Sequence, residues 1–183
     1  KFTAETGKKI GVVYHSRYNM MITDLITPKN EKPYVYERII PDSEGSVVTV
    51  VKCKDKFVLL KQFRHALRKY QYGFVRGYGE QGLSAKENAA KEIQEETGGK
   101  ATERIYLGEI SADSGLTGGI AAVYLCKTEN VSQKNGYEGI QELVLLEEHE
   151  LVQWIASGKI NDGFTLSAYA LYCAYVQKNG LPF

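Results

Sequence analysis

The chain has 183 residues, 43% hydrophobic and 25% charged, the composition of one ordinary globular unit with a sizeable core rather than of a disordered or fibrous chain. Its 23 basic and 22 acidic residues nearly cancel, so the overall field favours neither nucleic acid nor an anionic membrane, and any attraction for phosphate has to be local. There is no transmembrane run and no apolar signal core at the start of the sequence, so the expected location is cytoplasmic.

In chain order, β-rich or alternating segments are predicted at 10–16, 19–27, 34–40, 46–53 and 56–63, with turn signals such as Lys54-Asp55 between them. The most basic stretch, 61–69, follows at the end of a strand. A helix is predicted over 85–97, because Ser84 followed by Glu87 makes a capping box and Gly98 is a C-terminal stop. Strands are expected at 105–111 and 120–127, then a polar turn-rich piece at 128–139 and a strand at 141–146. Two helices end the sequence. The first, 148–156, places Leu151, Trp154 and Ile155 on one face; the second, 165–178, carries Leu166, Tyr169, Ala170, Cys173 and Val176 at helical spacing. The order implies an α/β/α sandwich with a mixed sheet, spanning 45–183, preceded by a β-rich N-terminal extension over 1–44. Cys53, Cys126 and Cys173 are odd in number, far apart and set in apolar stretches, and are expected to be buried reduced thiols.

The chemistry concentrates in the helix at 85–97. Glu92, Glu95 and Glu96 stand at i, i+3 and i+4, which places all three carboxylates on one face within reach of common ions. Carboxylates this close repel each other, and a hard divalent cation converts that repulsion into ligation by oxygen; Mg²⁺ or Mn²⁺ suits such a set and zinc does not. Ala89, Ala90 and Ile93 form a small apolar strip for packing on a sheet, and the carboxylates are expected to face away from it, toward a cleft. A solvated charged helix would show the same spacing, so the surrounding pattern has to decide.

That pattern resembles the Nudix box: Gly, five residues, Glu, seven residues, then Arg-Glu-aliphatic-any-Glu-Glu-any-Gly-aliphatic. With Gly77 and Gly98 fixing the register, Glu92, Ile93, Glu95, Glu96 and Gly98 match, whereas Leu83, Lys91 and Gly99 replace the loop glutamate, the arginine and the last aliphatic residue. In the family, the loop glutamate and helix arginine support the loop and helix geometry, so the changes at Leu83 and Lys91 look linked. Over nearly its full length the chain resembles the branch acting on ADP-ribose and other nucleoside diphosphate sugars.

The resemblance implies a Nudix-type sandwich, a homodimer built partly by the N-terminal extension, and Mg²⁺ or Mn²⁺ held by Glu92, Glu95 and Glu96. It also implies roles for four further residues. Gln62-Phe63-Arg64 resembles the family's Gln-aromatic-Arg, which makes Arg64 a contact for substrate or the acidic cluster, and a guanidinium suits a phosphate oxygen. Arg76, just before Gly77, is placed to lend its backbone carbonyl to metal and its side chain to phosphate. Glu138, in Asn135-Gly136-Tyr137-Glu138-Gly139, is the positional match for a catalytic base, with Glu142 as the alternative. Asp113-Ser114-Gly115-Leu116-Thr117-Gly118-Gly119 resembles the branch's Ser-Pro-Gly-aromatic-Thr-Asp-Glu loop but lacks its proline and its final acids. The implied activity is hydrolysis of the diphosphate bond of an ADP-ribose-like compound to a nucleoside monophosphate and a sugar phosphate, with Glu95, Glu96 and Glu138 catalytic. The alternative is a catalytically silent Nudix-like nucleotide-binding or regulatory module. The expected partner is a nucleoside diphosphate-linked small molecule, with no nucleic acid and no membrane.

Overall fold

The computed structural model describes residues 7, 9–41, 45–132 and 137–183, so parts of the expected extension and Asn135 and Gly136 lie outside the described residues. Strands β1 (Gly11–His15), β2 (Asn19–Ile26) and β3 (Tyr34–Pro41) form an antiparallel sheet of their own in the order β1-β2-β3. A parallel bridge between Ile39 and Thr117 ties it to the loop after β8 (Ala101–Ile110), aided by Ile39 N–H to Leu116 O and Gly118 N–H to Ile39 O, both 2.9 Å.

The second sheet is mixed. Its path runs β10 (Ile140–Leu146), β5 (Lys56–Arg64), β4 (Ser46–Cys53), β9 (Ala121–Thr128), β8, with β4 and β9 parallel and the other pairs antiparallel. Strict alternation along its central strands fills two cores. Val48, Val50, Phe57 and Leu59 face one side, under α2 (Glu148–Ala156) and α3 (Gly163–Asn179). Val51, Val58 and Leu60 face the other, where α1 (Ala85–Thr97) brings Ile93. Burial on both faces is why these strands read as near-continuous apolar runs, and the three layers are the expected α/β/α sandwich.

Two short strands, β6 (Lys69–Gly73) and β7 (Val75–Tyr78), were not foreseen, and they create the site. One edge of β4 is taken by β9; its other edge pairs with β7 along Ser46–Thr49 and with β5 only along Val51–Cys53. Strand β5 in turn uses its free edge for β6 from Leu60 to Arg64. The sheet therefore forks, with Gln62 and Arg64 on one prong and Arg76 and Gly77 on the other.

Two expectations about the last helix and the cysteines are corrected. The fully buried residues of α3 are Thr165, Ala168 and Tyr172, while Leu166, Tyr169 and Val176 of the predicted set pack partly buried on the same core, because this helix is apolar around most of its circumference and periodicity does not select a face. Ala170 and Cys173 are accordingly exposed, so Cys173 is not a buried thiol. Cys53 and Cys126 are buried, and burial pushes the Cys126 thiol up to about 12, which makes it an inert core residue. No helix of the described residues is long and apolar enough to cross a membrane.

Candidate metal centre and phosphate cleft

Helix α1 has the predicted ends. The Ser84 hydroxyl accepts from Glu87 N–H at 3.3 Å, the Glu87 carboxylate accepts from Ser84 N–H at 2.9 Å, and Gly98 closes the helix in the left-handed region with φ 64°. Such a cap stabilises by about 1 kcal/mol and fixes where the helix begins relative to the loop before it. Gly99, which departs from the box, is buried, and a Cβ there would lie 2.9 Å from Asn130 O, so an aliphatic side chain has no room.

The carboxylates do not all face away from the packed strip. Asn88, Glu92 and Glu96 form one i, i+4 row directly beside Ala89, Ile93 and Thr97, and all six are buried. Glu92 is 8% exposed and Glu96 2%. Glycine at 77 makes this possible: a Cβ on that strand residue would overlap the Glu92 carboxyl group. The third acid separates from them, since Glu95 is half-buried and bonded at 2.8 Å to Lys91 Nζ, one turn back. Among the described residues no three acidic, histidine or cysteine side chains gather as a ready-made metal cage.

Lys91 also reaches Glu80 in the box loop, 3.2 Å away. Its charged form is favoured first by Glu95 and then by Glu80, which hold its pKa above the usual lysine range. The loop acid missing at Leu83 is thus supplied three positions earlier, and the loop and helix remain tied. Because Glu80 is more than half exposed, the tie contributes at most about 1 kcal/mol. Glu80→Gln is expected to lower Tm by less than about 3 °C, and Leu83→Glu in that background is expected to restore it, as thermal melts would show.

Burial raises the Glu92 carboxyl to about 7, with Lys91 opposing and Glu95 and Glu138 adding to the rise. Burial, then Glu92, raises Glu96 to about 8; the Arg76 backbone N–H, donating to the carboxylate, and Arg64 oppose. Oε2 of Glu96 has no hydrogen-bond partner. Two buried acids, one with an orphaned oxygen, fit a hard divalent cation, which takes carboxylate oxygen and removes the repulsion. The sign of the pH dependence follows. The folded state binds more protons than the unfolded one between about pH 4.5 and 8, so the metal-free protein loses stability as pH rises through that window. Melts in chelator are expected to show Tm falling from pH 5 to pH 8, and excess Mg²⁺ at pH 8 to reverse most of the fall; a flat profile would contradict this.

The remaining candidates meet at the fork. Glu138 acts electrostatically on Glu92, Glu96 and Arg64. It has φ 45°, and its carbonyl is held by Gln62 Nε2 at 2.9 Å, so the turn is anchored to β5. Glu142 instead lies on β10 opposite Lys61. Arg64 loses solvation on burial, which lowers its pKa, and its Nε is buried without a partner. The Arg76 side chain turns to the α3 side: Nη1 is 3.3 Å from Asp162 Oδ1, and the guanidinium lies 4.6 Å from the Phe164 ring centre. Arg64, Arg76, Glu138, Asp162 and Phe164 line a cleft of about 600 Å³. His65 lines it too, is exposed, and packs edge-on to Phe63. A wider depression of about 930 Å³ lies beside Cys53–Lys56 and Glu147–His149, but it holds none of these groups. Chemistry rather than size identifies the site. Asp162 and Phe164 were not singled out from sequence; Asp162 before Gly163 carried only a helix-cap signal.

No family model matches the chain. It is 31% identical over 77 residues to the ADP compounds hydrolase NudE of Escherichia coli (strain K12), covering 42% of this chain and 41% of that protein. The chain therefore matches less than half the length of that curated relative. It is also 27% identical over 138 residues to the methanol dehydrogenase activator of Bacillus methanolicus, covering 72% of this chain and 74% of that one. Its fold superimposes on a crystal structure of ADP compounds hydrolase with a TM-score of 0.78 at 18% identity, over 94% of this chain and 95% of the other. The fold is therefore that of an ADP compounds hydrolase, and α1 carries the residues that resemble the Nudix box.

Proposed function

We propose that the chain acts in the cytoplasm as a Mg²⁺- or Mn²⁺-dependent pyrophosphohydrolase, splitting a nucleoside diphosphate linked to a sugar, such as ADP-ribose, into a nucleoside monophosphate and a sugar phosphate. The observation that carries this is the buried Glu92 and Glu96 pair, with its orphaned Oε2, which feels the charges of Glu138 and Arg64 from the adjoining cleft lining. Glu92 and Glu96 would hold the metal, with the Arg76 backbone carbonyl as a further donor. Glu95 is the weaker ligand, since Lys91 engages it. A bound divalent ion supplies charge neutralisation on the phosphoryl oxygens and a water of lowered pKa. Arg64 and Arg76 bind phosphate oxygens and orient the linkage, and their fixed positive charge stabilises negative charge developing on the leaving phosphate. Glu138 accepts the proton from the attacking water. Its electrostatic reach to both buried acids supports it over Glu142.

The test is a Mg²⁺-dependent screen of nucleoside diphosphate sugars, dinucleotides and nucleoside triphosphates, with Glu95→Gln and Glu96→Gln as controls. Two phosphorylated products, lost in Glu96→Gln, are expected. Equal rates in Glu96→Gln and the unchanged protein would sink the assignment. A second reading, a silent nucleotide-binding or regulatory module, is favoured by the engagement of Glu95 by Lys91 and by the likeness to a protein named as a methanol dehydrogenase activator. Nucleotide binding without turnover across the screen would select it. We also propose a homodimer through the N-terminal sheet, where Val12, Tyr14 and Tyr34 are exposed. Light scattering at twice the monomer mass is the expected result.

A further inference from the structure

We infer that Asp162 is a positioning residue for phosphate binding: it fixes the Arg76 guanidinium against the Phe164 ring so that Arg76 and Arg64 present a paired anion clamp to the cleft. The inference rests on the proposed function for its substrate, a diphosphate, but its geometry stands separately. Asp162 is 7% exposed, and its two oxygens divide their work. Oδ2 accepts from Thr165 N–H at 3.0 Å and from the Thr165 hydroxyl at 2.7 Å, capping α3. Oδ1 faces Arg76 Nη1 at 3.3 Å.

Thr165 in turn accepts from Phe74 N–H at 3.0 Å, two residues before Arg76, so helix cap and strand are locked together. They approach this closely because residue 73 is glycine; a Cβ there would sit 3.0 Å from Thr165 Oγ1. Arg76 is near enough to disfavour the charge on Arg64, and Asp162 offsets that effect. With one edge of Arg76 on Asp162 and one face on Phe164, its remaining N–H groups are left for the cleft. The flexible arginine is thereby ordered before any ligand arrives.

Removing the Asp162 charge has two opposed effects on an anion. It removes a nearby negative charge, and it frees Arg76. Loss of order is expected to prevail, because Oδ1 holds Arg76 directly at 3.3 Å and the same charge offsets the effect of Arg76 on Arg64.

Asp162→Asn separates these roles, because asparagine caps a helix as well as aspartate but offers Arg76 an amide in place of a carboxylate. The experiment measures Kd for inorganic pyrophosphate by calorimetry, without divalent ions, in the unchanged protein, Asp162→Asn, Arg76→Met and the double variant, with Tm for each. Asp162→Asn is expected to keep Tm within about 3 °C and to weaken binding about tenfold. In the Arg76→Met background the same change is expected to have no effect on Kd. Unchanged or tighter binding in Asp162→Asn, an equal effect in both backgrounds, or no pyrophosphate binding by the unchanged protein would each overturn the inference. Hydrolysis is not read, so failure of the proposed activity leaves this test intact; if turnover exists, KM is expected to rise in Asp162→Asn with kcat little changed.

Discussion

Replacing Glu96 with glutamine is expected to lower kcat by at least about a hundredfold while making the metal-free protein more stable at pH 8. Both effects come from one property. Glu96 is 2% exposed, its carboxyl is raised to about 8, and Oε2 has no partner. A neutral amide of the same shape still accepts the Arg76 N–H and no longer carries a buried charge at alkaline pH, which favours the folded state by on the order of 1 kcal/mol. It is a poor ligand for a hard cation, so activity and Mg²⁺ affinity fall together. A combined melt and rate measurement checks both halves. A purely structural acid would give the stability gain with no loss of rate.

Gly77→Ala is expected to leave the fold standing and weaken metal binding. The added Cβ meets the far end of the Glu92 side chain rather than backbone. Glu92 swings aside at modest cost, on the order of 1 kcal/mol, but its carboxylate leaves the place beside Glu96. Calorimetric titration should show Mg²⁺ affinity reduced by at least about tenfold, with Tm in chelator lowered by only a few degrees. Wild-type Mg²⁺ affinity would show that Glu92 is not held against the strand for a metal.

The fold was largely legible because its signals are local and redundant. Ser84, Glu87 and Gly98 set both ends of α1, and apolar runs marked β4, β5 and β9. The fork was not legible, because Lys69–Gly73 and Val75–Tyr78 are short, and their pairing depends on which edges β10 and β9 leave free. On α1, helical spacing puts Glu92 and Glu96 in one row, but it did not foresee their burial, which depends on the missing side chain at Gly77. Nor did it separate Glu95, whose partner Lys91 lies on the same helix and competes with any cation. Asp162 and Phe164 reach Arg76 from ~86 residues further along, beyond anything that periodicity reports.

Glu92 and Glu96 are expected to share a divalent cation beside β7 of the forked sheet. The most direct measurement is anomalous diffraction from crystals soaked in Mn²⁺. A peak about 2.2 Å from a carboxylate oxygen of each residue is predicted. Crystals with both side chains buried as described and no anomalous peak beside them, at saturating Mn²⁺, would contradict it.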